Sequence, residues 1–157
     1  MSFIINSLLR SDDAAAAPHL AVIVRAINSL LITRRGNIEV IRFPPQGIVY
    51  RGGGLPDEHR GFFHPDRKYR VPGFLATSFS RRVAGKFMTW ADKRGEPCVL
   101  WIIHVDPEGE HCEERRCVHV NYVTRTNVDG EDEYLFAPYA PFTVKQVIAC
   151  HVEKRRV

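Results

Sequence analysis

Three short stretches of this sequence carry side chains suited to chemistry. "NVDGEDEYLF" sets Glu131, Asp132 and Glu133 in succession after a turn signal. On an extended strand Glu131 and Glu133 share one face, about 6–7 Å apart along the backbone, and Asp132 turns away. Two carboxylates at that spacing reach one substrate without touching each other. Like charges this near raise the proton affinity of one carboxyl unless a cation intervenes, so the pair suits a positively charged partner. "GIVYRGGG" ends a strand-like run on Arg51, followed by Gly52, Gly53 and Gly54. A guanidinium there is suited to gripping a phosphate or carboxylate by paired bonds. The glycines let backbone approach a ligand or turn the chain. "GFLATSFS" supplies Thr77, Ser78 and Ser80 at the end of an apolar run. No Gly-x-Ser-x-Gly elbow marks a nucleophile, and Ser80 reads first as the cap of a following helix. Singly, each stretch has a plainer reading: a charged strand edge that discourages pairing, a surface arginine at a loop entrance, a helix cap.

The elements that must position these groups are legible in outline. "APHLAVIVRAINSLLITRRG" repeats apolar residues at three- and four-residue steps from Leu20 to Leu31 and predicts a helix ending before Gly36. "IEVIRF", "GIVYRG" and "GFLATSFS" read as strands, and "RRVAGKFMTWADKRG" as a helix closed by Gly95. "CVLWIIHV", "CVHVNYV", "EDEYLF" and "FTVKQVIACHV" complete a β-rich last third. Helices early and strands late argue for an α+β fold with a mixed, mostly antiparallel sheet system. The expected organisation is one domain over 1–157, with 1–36 an N-terminal helical segment and 37–157 a β-rich core. The "RGGG" run lacks the Gly-Lys-Ser/Thr of a P-loop and the spacing of a dinucleotide fingerprint.

Composition narrows the classes. The 157 residues are 45% hydrophobic and 25% charged, ordinary for a globular chain that buries a real core. The formal charge of +4 favours anionic partners. The basic clusters at Arg67-Lys68-Arg70, Arg81-Arg82-Lys86, Lys93-Arg94, Arg115-Arg116 and Lys154-Arg155-Arg156 are scattered, which suits solvated faces better than a nucleic-acid surface. His111, Cys112, Cys117 and His119 fit no common zinc spacing. Cys98, Cys117 and Cys150 lie in apolar runs and read as buried, reduced thiols. The N-terminus has no basic region ahead of its apolar stretch, and no run is long enough to cross a bilayer. The expectation is a soluble, intracellular, cytoplasmic protein with no membrane partner and no metal.

Taken in order, the three stretches resemble the Arg–Ser–Glu (R-S-E) class of ADP-ribosyltransferases, which includes arginine-specific mono-ADP-ribosyltransferases and some bacterial toxins. "VYRGG" with Arg51 matches the arginine that ends the family's first core strand. "GFLATS" matches its Ser-Thr-Ser strand, with Ala76 in place of the first serine and Ala84 and Phe87 in the Ala-x-x-Phe spacing that follows. Glu131 and Glu133 match its Glu-x-Glu, and "PFTV" begins the next strand. The resemblance runs from about residue 46 to 153.

The resemblance implies a split β-sandwich of the ADP-ribosyltransferase type with flanking helices. It implies NAD as co-substrate, cleaved between nicotinamide and ribose through an oxocarbenium-like transition state, the charge type that carboxylates stabilise in glycoside hydrolysis. Glu133 takes the place of the family's invariant glutamate, on the ribose 2′-hydroxyl. By the same resemblance Arg51 is expected to anchor the NAD phosphates, with Arg81 and Arg82 as further phosphate contacts. Gly52, Gly53, Thr77 and Ser78 join Arg51 and Glu133 in the cofactor-binding set. In the family the first serine of the strand holds the catalytic glutamate, so Ala76 leaves Thr77 and Ser78 as the hydroxyls at hand. Glutamate at position 131 implies an arginine acceptor on a target protein, with Arg125 and Asn127 in the loop that meets it. Alternatives that share these residues are an NAD glycohydrolase, a non-catalytic NAD- or ADP-ribose-binding module, and transfer to nucleic acid.

Overall fold

The computed structural model describes residues 2–11, 13–31, 45–105, 120–122 and 132–148. Two helices lead. Helix α1 (Ser2–Ser11) and α2 (Ala17–Leu31) are joined by a tight turn in which the Asp13 side chain accepts the Ala15 N–H at 2.8 Å. Ile5 and Leu9, one turn apart, bury against Leu20 of α2, with Val24, Ile27 and Phe74 packed around them. Of the predicted apolar face of α2, Leu20, Val24 and Ile27 pack inward but Ile23 is exposed, while the expected end at Gly36 and the run "IEVIRF" lie outside the described residues.

Among the described residues the strands form two sheets, and every pairing is antiparallel. The larger, in the order β4-β1-β3-β6-β5, comprises β1 (Ile48–Gly54), β3 (Leu75–Ser78), β4 (Cys98–His104), β5 (Val120–Tyr122) and β6 (Glu133–Phe136). The smaller pairs β2 (Lys68–Val71) with β7 (Ala140–Thr143). Val49, Tyr134 and Phe136 from the first sheet meet Ala140 from the second, with Leu75, Phe79, Ile103 and Phe142 around them. This core lies between the sheets, as in a sandwich, and the α+β, mostly antiparallel expectation holds.

Helix α4 (Arg81–Lys93) covers the other face of β1. Its buried side is Val83, Ala84 and Ala91. Gly52 makes this packing possible, since a methyl group there would overlap the Ala84 carbonyl. α4 ends as predicted, with Gly95 at φ 74 donating its N–H to Asp92 O at 2.8 Å. A four-residue helix α3 (Asp57–Arg60) lies in the connection from β1 to β2.

Three expectations need correction. Cys98 is exposed, not buried, because it opens β4, an outer strand of the sheet among the described residues; Cys112, Cys117, Cys150, His111 and His119 lie outside the described residues. The last predicted strand begins earlier and stops at Thr143. Its partner begins at Lys68, and the loop residues Asp66 and Arg67 then bond Val144, which ends the ladder. Finally, β2 went unread, although "KYRV" alternates exposed Lys68 and Arg70 with half-buried Tyr69 and Val71. No helix among the described residues is long and apolar enough to cross a membrane.

Candidate active site

The two central strands part early. β1 pairs with β4 along seven residues, yet with β3 only where Tyr50 faces Ser78. Beyond that pair the strands separate, and the opening is a cleft of about 150 Å³. Tyr50, Arg51 and Gly52 line it from β1, Ala76, Thr77 and Ser78 from β3, Glu133 from β6, and Val83, Ala84 and Phe87 from α4. Arg51, Ser78 and Glu133, separated by up to 82 residues in sequence, therefore share one cavity.

Register fixes how they meet. Ser78 faces Tyr50 on one side and Glu133 on the other, so three residues form a row across β1, β3 and β6. Directly opposed antiparallel residues project to the same face with Cβ atoms about 5 Å apart. Alternation turns Val49 and Tyr134 to the inter-sheet core, so the row points to the α4 side. Ser78 is buried, at 5% exposure, and its Oγ accepts the Ser80 N–H at 2.9 Å. Ser80 occupies the cap position of α4 as expected, but its side chain makes no cap hydrogen bond. Glu133 is half-buried at the head of β6.

Arg51 crosses the parting strands. Its Nη1 donates to the Ala76 carbonyl at 2.7 Å. No aspartate or glutamate among the described residues forms a salt bridge with it. Burial first, and then the charge of Arg10, hold its pKa below the usual arginine value. A half-buried guanidinium with a carbonyl partner and a cationic neighbour keeps donors to offer an anion.

The other sequence candidates fall as follows. Thr77 is buried, and its hydroxyl donates to the Tyr134 carbonyl at 2.6 Å, inside the β3–β6 pair. Gly52 lines the cleft, but the close approach its missing side chain permits is that of α4. Gly53 has ordinary room, with the Trp101 ring 3.6 Å from where a Cβ would stand. Arg81 and Arg82 are exposed at the start of α4. Asp132 is exposed as expected, but its φ of 44° is left-handed, so the extended alternation assumed for residues 131–133 stops at Glu133. Glu131, Arg125 and Asn127 lie outside the described residues. Sequence reasoning gave no role to Tyr50, although it stands beside Arg51 in "VYRGG". It also gave Phe87 only a place in a spacing, whereas the ring lines the cleft and meets Trp90 edge-on at 5.0 Å.

No protein-family model and no curated protein sequence matches the chain. Solved structures do. The ADP-ribosyltransferase Vis in complex with the M6 inhibitor superposes with a TM-score of 0.66 at 19% identity, over 96% of this chain. The same enzyme in complex with agmatine gives 0.64 at 20% identity over 94% of this chain. Vis toxin, an ADP-ribosyltransferase from Vibrio splendidus, gives 0.61 at 20% over 96%. The match spans 62% of the length of each of those chains. The split between β1 and β3, the two-sheet core and these superpositions together identify the architecture: this chain has the ADP-ribosyltransferase fold.

Proposed function

We propose that this chain transfers ADP-ribose from NAD to an arginine side chain of a target protein, releasing nicotinamide. The observation that carries the reading is the convergence of Arg51, Ser78 and Glu133 on one cleft. An anionic dinucleotide suits this donor set, because the Arg51 guanidinium is half-buried with no carboxylate bonded to it among the described residues. NAD brings the nicotinamide–ribose bond that is broken. Glu133 accepts a hydrogen bond from a ribose hydroxyl and opposes the positive charge that grows on the sugar as that bond breaks. Ser78, opposite it, orients the carboxylate. Arg51 grips the phosphates, and Tyr50 and Phe87 present aromatic rings to the cleft.

Glu131 supports the choice of acceptor. A carboxylate there aligns a guanidinium by a paired hydrogen-bond fork and takes the proton that blocks attack. Vis was crystallised with agmatine, an arginine analogue, which supports an arginine-like acceptor for this fold.

Incubation with NAD labelled in the adenylate half and with agmatine tests the reading, with free nicotinamide and labelled agmatine measured separately. Transfer to agmatine is the expected result. Nicotinamide release with only free ADP-ribose assigns a glycohydrolase, and binding without release assigns a binding module. Glu131→Gln is expected to keep part of the nicotinamide release and lose transfer, whereas Glu133→Gln loses both.

A further inference from the structure

The smaller sheet has two outer edges, and among the described residues no strand pairs with either. The hydrogen-bond phase of β2 and β7 tells them apart. Val144 donates its N–H to the Arg67 carbonyl at 2.9 Å, so the bonded phase falls on Arg67, Tyr69 and Val71. The Val71 carbonyl agrees, accepting the Tyr139 N–H at 2.6 Å. Lys68 and Arg70 fall between, and their backbone N–H and C=O groups point away from β7. Opposite Arg70 stands Pro141, whose missing N–H falls on the outer edge of β7. A strand added to β7 would meet that gap, while β2 offers a complete set of donors and acceptors.

Side chains on β2 add a charge preference. Lys68 and Arg70 are exposed on one face, beside exposed Thr143 and Pro141 of β7, and neither makes a salt bridge among the described residues. The Arg67 guanidinium lies 4.6 Å from the centre of the Phe62 ring, which is 40% exposed. Asp66 is the one acid adjoining this run. The opposite face is held from below. Tyr69 stacks on Phe142 at 5.6 Å and meets Phe62 and Phe63 edge-on at 5.8 and 5.5 Å. An edge held rigid before binding loses little on ordering. Cations on a short outer strand discourage pairing with a like-charged strand, a second copy of β2 included. The same cations favour a strand whose acids stand opposite them.

We infer that the outer edge of β2 takes an extended acidic segment of the target protein as an added antiparallel strand, with carboxylates opposite Lys68 and Arg70. The acids of that segment recur at every second residue, because only alternate side chains share the cationic face. Their own backbone amides bond Lys68 and Arg70, while the intervening residues turn away. That a target supplies the strand rests on the transferase reading; the edge itself does not. No residue of the edge lines the cleft, so this surface selects the protein and takes no part in the chemistry.

Fluorescence anisotropy with a labelled peptide that alternates glutamate and threonine tests this edge on the whole chain. Binding should saturate below about 1 mM. It should weaken about tenfold or more when Lys68→Glu and Arg70→Glu are combined, since the reversal sets like charges opposite each other. N-methylation of the glutamate amides should abolish binding, whereas N-methylation of the threonine amides should leave it within about twofold. Equal binding by the two methylated peptides reduces the contact to charge alone and overturns the added strand. Equal binding by a lysine–threonine peptide overturns the acidic preference, and no saturation by about 1 mM overturns the edge as a site. Tighter binding of a short single-stranded oligonucleotide, with the same dependence on Lys68 and Arg70, assigns the face to nucleic acid and overturns it as well. Transfer to agmatine, measured on the same proteins, keeps the two readings apart. It should be equal in the unaltered protein and the double variant. Peptide binding without any transfer sinks the transferase and leaves the edge; transfer without peptide binding does the reverse.

Discussion

Ser78 and Glu133 are direct register partners, the last residue of β3 facing the first residue of β6. Ala76, which stands where the resembled family has a serine, is instead opposite Leu135 and serves the site through its backbone carbonyl. The hydroxyl closest to Glu133 along this strand pair therefore belongs to Ser78, and the carbonyl that holds Arg51 is indifferent to the side chain at 76. Glu133→Gln should lower nicotinamide release by two to three orders of magnitude, in the range for loss of one preorganised charge-stabilising group. Ser78→Ala should cost about tenfold, and the double variant should fall no further than Glu133→Gln alone, since in the proposed reading the serine acts through the glutamate. Ala76→Ser should change kcat less than about twofold, well inside one tenfold step of 1.36 kcal/mol. A large gain from Ala76→Ser would reverse this assignment.

Arg51 separates stability from binding. A guanidinium buried in a structural ion pair typically costs about 3–5 kcal/mol to break. Arg51 has no such pair among the described residues; burial and then Arg10 both disfavour its charge. Replacing it relieves that cost and gives up one hydrogen bond to Ala76, worth roughly 1 kcal/mol. Arg51→Met should therefore melt within about 4 °C of the unaltered protein, as expected for a net change near 1 kcal/mol in a chain of this size. Its KM for NAD should rise at least tenfold. Added ADP should raise the melting temperature of the unaltered protein and not of Arg51→Met. A fall in melting temperature of about 10 °C would instead make Arg51 a structural residue.

Much of this arrangement was legible because local rules and global fold agree. Ser78 ends its strand as read, Gly95 follows a helical period, and the order of the three stretches is preserved in space. Arg51, however, does not end its strand: β1 runs on to Gly54, and Gly52, Gly53 and Gly54 pair with Leu100, Val99 and Cys98. What escaped reading depends on partners distant in sequence. "KYRV" becomes a strand because Ala140–Thr143 lies beside it, and its basic residues drew the eye from the alternation. Cys98 carries an apolar signature but sits at the rim of an outer strand among the described residues, where apolar residues stay exposed. Asp132 takes a left-handed turn that an acidic triplet does not announce, although aspartate tolerates that region better than most residues. The grip of Asn6 on Phe74 joins residues 68 apart in sequence.

The glycines after Arg51 divide sharply. A methyl group at Gly52 would collide with backbone, the Ala84 carbonyl, and with the Met88 side chain. Backbone of a packed helix cannot step aside cheaply, so Gly52→Ala should destabilise the fold by about 2–4 kcal/mol, as overpacking with backbone displacement does. Gly53→Ala meets only ordinary contact with the Trp101 ring and should stay within about 1 kcal/mol. Chemical denaturation of the two variants decides the matter. Equal, small losses would mean that α4 does not rest on Gly52 in solution. If Gly52→Ala folds at all, displacement of α4 carries Val83, Ala84 and Phe87 away from the cleft, and NAD binding should weaken with stability.

Thr77 lines the cleft, yet its hydroxyl is engaged elsewhere. It is 5% exposed and donates to the Tyr134 carbonyl at 2.6 Å on the core-facing side of the β3–β6 pair. Thr77→Val keeps the β-branched shape and removes only that donor, leaving a buried carbonyl one bond short. The expected loss is about 1–2 kcal/mol, or roughly 3–6 °C in melting temperature for a chain of this size. Thr77→Ser retains the donor, so it should recover the part of the loss due to the hydrogen bond and forfeit only a buried methyl group. Because the hydroxyl faces away from the row of Tyr50, Ser78 and Glu133, KM for NAD, measured well below the transition, should change less than twofold in both variants. A tenfold rise in KM for Thr77→Val with an unchanged melting temperature would move Thr77 from the strand pairing to the ligand.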